Sequence, residues 1–328
     1  MLKETLILSR PDIEKLITMP SALRITEQAF KAKALSRIQM PAKIYLRLDK
    51  YKGDFRAMPA YIEGMEACGM KWVSVHPQNL KHGLPSVMAL IIINDPKTGF
   101  PLAVMDGTYI TNLRTGAAGG IAAKYLARKN SSRIALVGCG VQAQTQLMAL
   151  NEIFNIETVF LYDCAKSQIK IFLKKTRYSG LRISALENIP DCLKNADIVV
   201  TTTPSRCPIV KTEWIKKGTH INAIGADAPG KEELEAGILK KAKVVVDDIT
   251  QAEHSGEINV PIAKKTITRK NIHADLGDII AGKKQGRATR EEITVFDSTG
   301  LAILDVAIAD YVYRQAKKEG VGKRVKFS

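Results

Sequence analysis

The sequence predicts an α/β protein in which a doubly wound parallel sheet is inserted into a second, mostly antiparallel α+β domain. Three observations predict it. Residues 132 to about 250 alternate short apolar or β-branched runs with segments long enough for crossover helices, the pattern of a parallel sheet covered on both faces. The first 110 residues instead carry strand-like runs divided by turn signals. Two helix-like segments, one near residue 112 and one near residue 302, bracket the alternating region, so the chain leaves one domain, builds the other and returns. The expected boundaries are 1–115 with 301–328, and 116–300.

In the first domain a helix is expected from Ser21 to Ser36, with Ser21 near its N-terminus. Strand-like runs follow at Ala42–Leu48, Phe55–Tyr61, Gly69–His76 and Val87–Asn94. The turns Asn94-Asp95-Pro96 and Lys97-Thr98-Gly99 separate the last of these from Pro101–Met105. A proline-free helix is expected from about Asn112 to Arg128, and its small residues Gly116 to Gly120 permit close backbone packing. Parallel strands are expected at Arg133–Val137, Thr158–Tyr162, Arg182–Ala185, Asp197–Thr203, His220–Gly225 and Lys243–Asp248. The run from Ile293 to Gly300 precedes a last helix from about Ala302 to Lys318.

The most informative stretch is Ile134 to Ala143. A short apolar strand runs into Gly138 and Gly140, and a helix-like segment starts near Val141. Gly138 permits a tight turn, and Gly140 lets the backbone approach a pyrophosphate. The helix start offers free N–H groups and a positive dipole end to that anion. Ala143 stands where a third glycine is usual and still allows close helix–strand packing. Asp163 ends the next strand, 25 positions after Gly138, about where a Rossmann-type dinucleotide fold places the carboxylate for the adenosine ribose. Read alone, the same turn also fits an ordinary α/β domain.

Composition narrows the function classes. The hydrophobic and charged fractions, 45% and 25%, are those of a globular protein. No signal peptide is evident, and the most apolar run, Val87 to Ile93, is too short to span a bilayer. The five cysteines are odd in number and form no C-x-x-C pair, which argues for a reducing cytoplasm and against a disulfide framework or zinc site. Cys139 reads as a small filler in the glycine turn. The five histidines are scattered, so no metal is expected. The formal charge of +16 is spread over separate lysine pairs rather than one arm, so nucleic acid is not an expected partner. A basic surface still draws in a carboxylate substrate and an anionic cofactor.

Several residues could carry chemistry. Lys71 lies in the strand-like run Cys68 to His76. Buried there, its pKa falls and suits acid/base work on an amine or imine; on the strand's solvated side it does nothing of the kind, and both placements fit the sequence. Asp227 follows a predicted parallel strand, where a carboxylate can reach cofactor and substrate, although an Asp in a Pro-Gly turn reads the same way. Arg114 could bind a dinucleotide phosphate or a surface carboxylate. Lys43 and Arg56, on early strands, could hold a substrate carboxylate. Asp275 and Asp278 read as cap or turn residues.

Together these residues resemble the ornithine cyclodeaminase/mu-crystallin family over nearly the whole chain. Six segments in order carry the resemblance: Phe55 to Tyr61, Met70 to Val73, Leu113 to Ala118, Gly138 to Ala143, Ile224 to Lys231 and Val295 to Gly300. The runs Gly99 to Asp106, Thr201 to Arg206 and Gly218 to Ala223 are similar to the archaeal-type alanine dehydrogenases within it. The resemblance implies an acid/base role for Lys71 and a catalytic one for Asp227. It puts Arg114, Val141, Gln142, Asp163 and Ser298 at nucleotide-contacting positions. Thr115, Gly138, Gly140, Ala143, Cys164, Ala165, Thr202, Gly225, Ala226 and Lys231 complete the expected cofactor set. Lys43 falls where cyclodeaminases usually have an arginine for the substrate carboxylate. Arg56 falls where a bacterial ornithine cyclodeaminase has a glutamate for the substrate's amino groups, and a cation there disfavours a dibasic amino acid.

The resemblance therefore implies NAD-dependent oxidative deamination of L-alanine to pyruvate and ammonia, and its reverse. Asp163 favours NAD over NADP, and nearby Lys166 keeps NADP open. The same residues would serve a ketimine reductase or an ornithine cyclodeaminase, and a non-catalytic nucleotide- or small-ligand-binding protein is the third class. The expected partners are a small amino-acid or oxo-acid substrate and a second copy of the chain, in a homodimer built by the first domain.

Overall fold

In a computed structural model, which describes residues 4–176 and 180–326, the chain forms two compact units. One runs to Arg114 and resumes at Leu301; the other runs from Thr115 to Gly300. The seam at Arg114 falls inside one continuous helix, Gly107–Leu126.

The first unit is built on an eight-stranded sheet. Its strand order is Lys323–Val325, Thr5–Leu8, Pro101–Asp106, Val87–Asn94, Ala67–Val75, Gly53–Ile62 and Ile38–Gln39, with Ile44–Leu48 also paired to Gly53–Ile62. Every pairing is antiparallel except that of Thr5–Leu8 with Pro101–Asp106. The two-residue alternation of strands sorts the side chains. One face buries Met58, Ala60, Lys71, Val73, Ala89, Ile91, Ile93, Ala103 and Met105. The helices Met19–Ala34 and Ala302–Glu319 pack together, and the latter also packs on the sheet. The opposite face is apolar yet open. The register sets Ile44, Ala57, Trp72 and Leu90 in one row, with Ile44 65% and Leu90 53% exposed.

Two helices in this part begin earlier than the sequence predicts. The helix expected from Ser21 starts at Met19, with Thr18 in the N-cap position and Ser21 in the first turn, because Pro20 in that turn has the fixed φ a helix start needs. It ends at Ala34, and Ser36 turns left-handed at φ 56°. The helix expected at Asn112 starts at Gly107 and ends at Leu126. Asp106 Oδ1 accepts the Tyr109 N–H at 2.9 Å and so starts the helix. Gly107 is there for space: a Cβ would sit 2.9 Å from that of Ala89. Lys43, expected on a strand, lies one residue before Ile44–Leu48.

The second unit carries an eight-stranded sheet in which every pairing is parallel. Its order is Arg182–Ala185, Thr158–Tyr162, Arg133–Val137, Ile198–Thr201, His220–Ala223, Thr294–Asp297, Lys243–Val246 and Ile272–Asp275. The chain starts at Arg133–Val137, winds one way through Thr158–Tyr162, then returns to Ile198–Thr201 on the other side. The switch point lies between Arg133–Val137 and Ile198–Thr201, where sheets of this kind place a ligand crevice at the strands' C-terminal ends. Apolar clusters cover both faces, with Leu147, Leu150 and Phe172 on one and Leu193, Leu239 and Ile258 on the other.

The strands Arg133–Val137, Thr158–Tyr162 and Arg182–Ala185 have their predicted bounds. The run predicted as Asp197–Thr203 shortens to Ile198–Thr201 because its ends are used otherwise. The Asp197 carboxylate accepts the backbone N–H groups of Ser132 and Arg133 at 3.1 Å, and Thr202 and Thr203 bend away into the crevice loops. The small residues of the helix Gly107–Leu126 permit the close packing expected of them: a Cβ on Gly116 would run into the Thr145 backbone, and one on Gly119 into the Gln146 amide. Among the described residues, no helix is long and apolar enough to cross a membrane.

Candidate functional site

In the second unit the site is built on the glycine turn. Gly138 has φ 93°, a left-handed conformation that L side chains rarely adopt, and a Cβ there would lie 2.9 Å from Thr202 Oγ1. Gly140 is the N-cap of the helix Val141–Ile153, has no side-chain cap, and a Cβ there would meet nothing within 4 Å. The helix's first turn holds no acid. This is an open anion cradle at a helix N-terminus, so the turn fits a dinucleotide pyrophosphate. Val141 is exposed, whereas Ala143 is buried in the core beneath the turn. Cys139 is buried, and desolvation followed by the charge of Asp163 pushes its thiol up to about 12, so it fills space rather than attacks.

Carboxylates brace the loops around this crevice. Asp163 accepts the N–H of Cys139 on Oδ2 and that of Ala165 on Oδ1, both at 2.8 Å. Cys164 and Ala165 beyond it are exposed. Thr202 Oγ1 donates to Gly138 O at 3.1 Å. Buried Glu233 accepts from Thr201 Oγ1, the Thr203 N–H and hydroxyl, and the Gly225 N–H, tying two neighbouring loops together. Burial raises the Glu233 pKa against these hydrogen bonds. Asp227 follows in the Gly225 loop, with Ala226 buried beside it, and its Oδ1 takes Lys231 Nζ at 2.6 Å. Ser298 is buried and donates its N–H to Ala223 O, and the next two residues donate theirs to Asp247 Oδ2 at 2.7 Å. Thr115 is buried, and its carbonyl accepts from Gln146 Nε2 at 2.8 Å.

In the first unit the structure decides between the two placements of Lys71. Its side chain is 1% exposed, between Met58 and Ile91 on the adjacent strands. Nζ donates to Asp305 Oδ2 at 2.7 Å. Arg114 Nε donates to the other oxygen of the same carboxylate at 3.1 Å. Burial lowers the Lys71 pKa, Asp305 opposes that, Arg114 and Lys43 add to it, and the outcome is about 7. Asp305 is fully buried, yet Arg114 and Lys71 overcome burial and hold it below the usual carboxylate range. Such an amine can both accept and donate a proton at neutral pH.

Two of the expected arginines are already engaged within the chain. Arg114 Nε pairs with a buried carboxylate rather than a surface one. Arg56 bonds Asp54 Oδ1 through Nε at 2.7 Å, and its Cζ lies 5.1 Å from the Tyr45 ring centroid. The sequence reading also overlooks Asp305, Glu233 and Asp247. Asp305 stands inside the apolar run Ile303 to Ile308 and Asp247 directly follows Val244 to Val246, a signal that could have marked both, whereas Glu233 lies in the charged stretch Lys231 to Glu235 and carries no such signal.

Residues 3–320 match the model of the ornithine cyclodeaminase/mu-crystallin family. The chain belongs to that family. An alanine dehydrogenase from Archaeoglobus fulgidus is 55% identical to this family member over 99% of both chains. The solved structure of an archaeal alanine dehydrogenase dimer with bound NAD superposes with a TM-score of 0.95 at 54% identity, covering 99% of this chain and 100% of that one. The Thermococcus litoralis delta(1)-pyrroline-2-carboxylate reductase, solved with NADH and L-proline, also gives a TM-score of 0.95, at 42% identity over 98% of this chain and 100% of that one.

Proposed function

We propose that the chain is an NAD-dependent alanine dehydrogenase, interconverting L-alanine with pyruvate and ammonia. The observation that carries the reading is the 55% identity, over 99% of both chains, to an alanine dehydrogenase. Lys71, a buried amine with a pKa of about 7, gives that likeness a chemical basis in this chain.

The cofactor would rest on the N–H groups at Gly140 and Val141, with Gln142 and Ser298 beside it and Asp163 accepting from the adenosine ribose. The chemistry that NAD supplies when bound is acceptance of a hydride from the amino-acid α-carbon, which leaves an imino acid, and NADH supplies the return. Lys43 and Arg56 attract and orient the substrate carboxylate, Arg56 with its guanidinium aimed by Asp54 and Tyr45. Lys71 Nζ takes the proton of the substrate ammonium, so that the neutral amine reacts. As water adds to the imino carbon, its proton passes to the Asp227 carboxylate. Lys71 Nζ then gives its proton to the nitrogen of this carbinolamine. Now neutral, it takes the hydroxyl proton as the C=O bond of pyruvate forms, the C–N bond breaks and ammonia leaves.

The open apolar row of the first unit supports a homodimer. A patch of Ile44, Leu46, Trp72 and Leu90 costs stability in water unless covered, and a second copy offers the same patch in return. A Leu46→Glu, Leu90→Glu double variant should shift the light-scattering mass toward the monomer. Five free cysteines support a reducing, cytoplasmic setting.

The deciding experiment follows NADH absorbance with pyruvate, with and without ammonium. Oxidation that requires ammonium is the expected result, and Lys71→Ala should abolish it. The likeness to a pyrroline-2-carboxylate reductase favours one second reading. Under it, NADH would be consumed with a cyclic imine, without ammonium, and pyruvate would be inert. Ammonia release from ornithine without net NADH would indicate a cyclodeaminase, and NADH binding without any turnover a binding protein.

A further inference from the structure

One carboxylate in the first unit serves two cations. Asp305 lies in the first turn of the helix Ala302–Glu319 and is fully buried. Its Oδ2 takes Lys71 Nζ at 2.7 Å, and its Oδ1 takes Arg114 Nε at 3.1 Å. Lys71 comes from the strand Ala67–Val75 and Arg114 from the helix Gly107–Leu126, so Asp305 joins three elements at one point.

Charge counting shows what this arrangement does. Arg114 keeps its charge throughout. With Lys71 neutral, Asp305 and Arg114 balance and the buried cluster carries no net charge. With Lys71 protonated, the cluster carries one positive charge in a place that solvates it poorly. Remove Asp305, and a protonated Lys71 would face Arg114 with nothing between them. The other charged group acting on Lys71 is Lys43, also a cation, and its strand neighbours Met58 and Ile91 are apolar. Asp305 alone among these groups favours the ammonium form.

We propose that Asp305 is a positioning residue for the reaction: it fixes Lys71 Nζ and the Arg114 guanidinium on its two oxygens, and its charge is what lets the buried Lys71 take up and return a proton. This rests on the reading of Lys71 as the acid/base group. The carboxylate does not itself touch substrate in this scheme. It divides one negative charge between the lysine that handles protons and an arginine at a nucleotide-contacting position of the family, so anything that neutralises Arg114 leaves more of that charge to Lys71.

The test is an NMR titration of the Lys71 side-chain nitrogen in the full-length protein, assigned with a Lys71→Met variant, alongside the pH profile of alanine oxidation. Asp305→Asn keeps the shape and removes the charge. It should move the Lys71 midpoint down by about one pH unit or more, and move the corresponding limb of kcat/KM with it. Arg114→Gln removes the competing cation and should move the NMR midpoint up by a similar amount, a shift of opposite sign that a general loosening of the fold does not produce. Asp305→Glu should hold the midpoint near that of the wild type while lowering kcat, because the charge stays and the position changes. An unmoved midpoint in Asp305→Asn overturns the proposal, and so does a downward shift in Arg114→Gln if the first variant fails to fold. A midpoint that shifts as stated in a protein inert toward alanine would refute the dehydrogenase reading and leave Asp305's control of Lys71 standing.

Discussion

Asp163 Oδ2 accepts the backbone N–H of Cys139 at 2.8 Å, so the residue that ends one strand holds the glycine turn that ends its neighbour. Its other oxygen takes the Ala165 N–H at the same distance. A carboxylate has about four lone-pair sites, so two such bonds leave room for ribose hydroxyls. Asp163 therefore both shapes the turn and offers acceptors. Asp163→Ala should weaken NAD binding by about 10- to 100-fold, the worth of one or two hydrogen bonds to a charged group. It should also narrow the preference for NAD over NADP, since a 2′-phosphate no longer meets a negative charge. Calorimetric titration with both nucleotides reads both effects, and an unchanged Kd for NAD would remove Asp163 from the cofactor set.

Glu233 does similar work one loop further on. It gathers four donors from Thr201, Thr203 and Gly225, and Glu257 beneath it accepts the N–H groups of Glu233 and Leu234. Glu233→Gln leaves one acceptor oxygen for those donors and turns an NH2 group toward the rest. The expected loss of stability is on the order of 1–3 kcal/mol. The Thr202 and Gly225 loops should loosen too, raising KM for NAD more than KM for alanine. Equal changes in both constants would mean that Glu233 serves the fold and not the cofactor loops.

How much of this was legible in the sequence depends on where each residue's partner lies. The parallel strands beside the glycine turn follow from local apolar runs, and three of them keep their predicted bounds. The helix Gly107–Leu126 is misjudged at its start because Gly107 and Asp106 answer to a strand partner and a cap, which propensity does not weigh. Lys71 is recognisable as a candidate, but its burial depends on Asp305, 234 positions away. A contact that long-range is set by packing, and no periodicity announces it. Arg56 and Asp54 are the opposite case: two positions apart on one strand they share a face, so their pairing was open to a period-two reading that the sequence analysis did not make.

The Arg56–Asp54 pair changes what a substrate-switching experiment should show. If a cation at position 56 disfavours dibasic amino acids, Arg56→Glu should reduce kcat/KM for alanine by about tenfold or more, as expected for losing a charged contact. The new carboxylate would stand beside Asp54, however, and like charges that close repel. Arg56→Glu combined with Asp54→Asn should therefore gain more ornithine turnover than Arg56→Glu alone. Ammonia release from ornithine measures it, and no gain in either variant would show that selectivity resides elsewhere.

His220 makes the second unit sensitive to acid. It is fully buried, and desolvation followed by the charge of Arg287 pushes its pKa down to about 3. Its Nε2 lies 2.9 Å from Asn222 Oδ1, and its Nδ1 lies 2.9 Å from Thr294 Oγ1. Asn222 spends its NH2 group on Gly119 O and Gln146 Oε1, so its oxygen is the acceptor and the His220 proton sits on Nε2. The ring is thus neutral in the folded protein. An unfolded chain protonates the same ring near pH 6.5. Above that pH neither state binds the proton and stability is unaffected. As the pH falls from about 6.5 toward 3, the unfolded state alone gains a proton, and folding loses about 1.4 kcal/mol per pH unit from this residue. Carboxylates also titrate in that window, so the informative quantity is a difference between two proteins. A His220→Gln variant, which keeps a donor and an acceptor but cannot charge, should start less stable near neutrality and then lose stability more slowly on acidification. Urea unfolding of both proteins between about pH 7 and pH 4 measures the two slopes, and parallel slopes would mean that His220 is not the group that titrates.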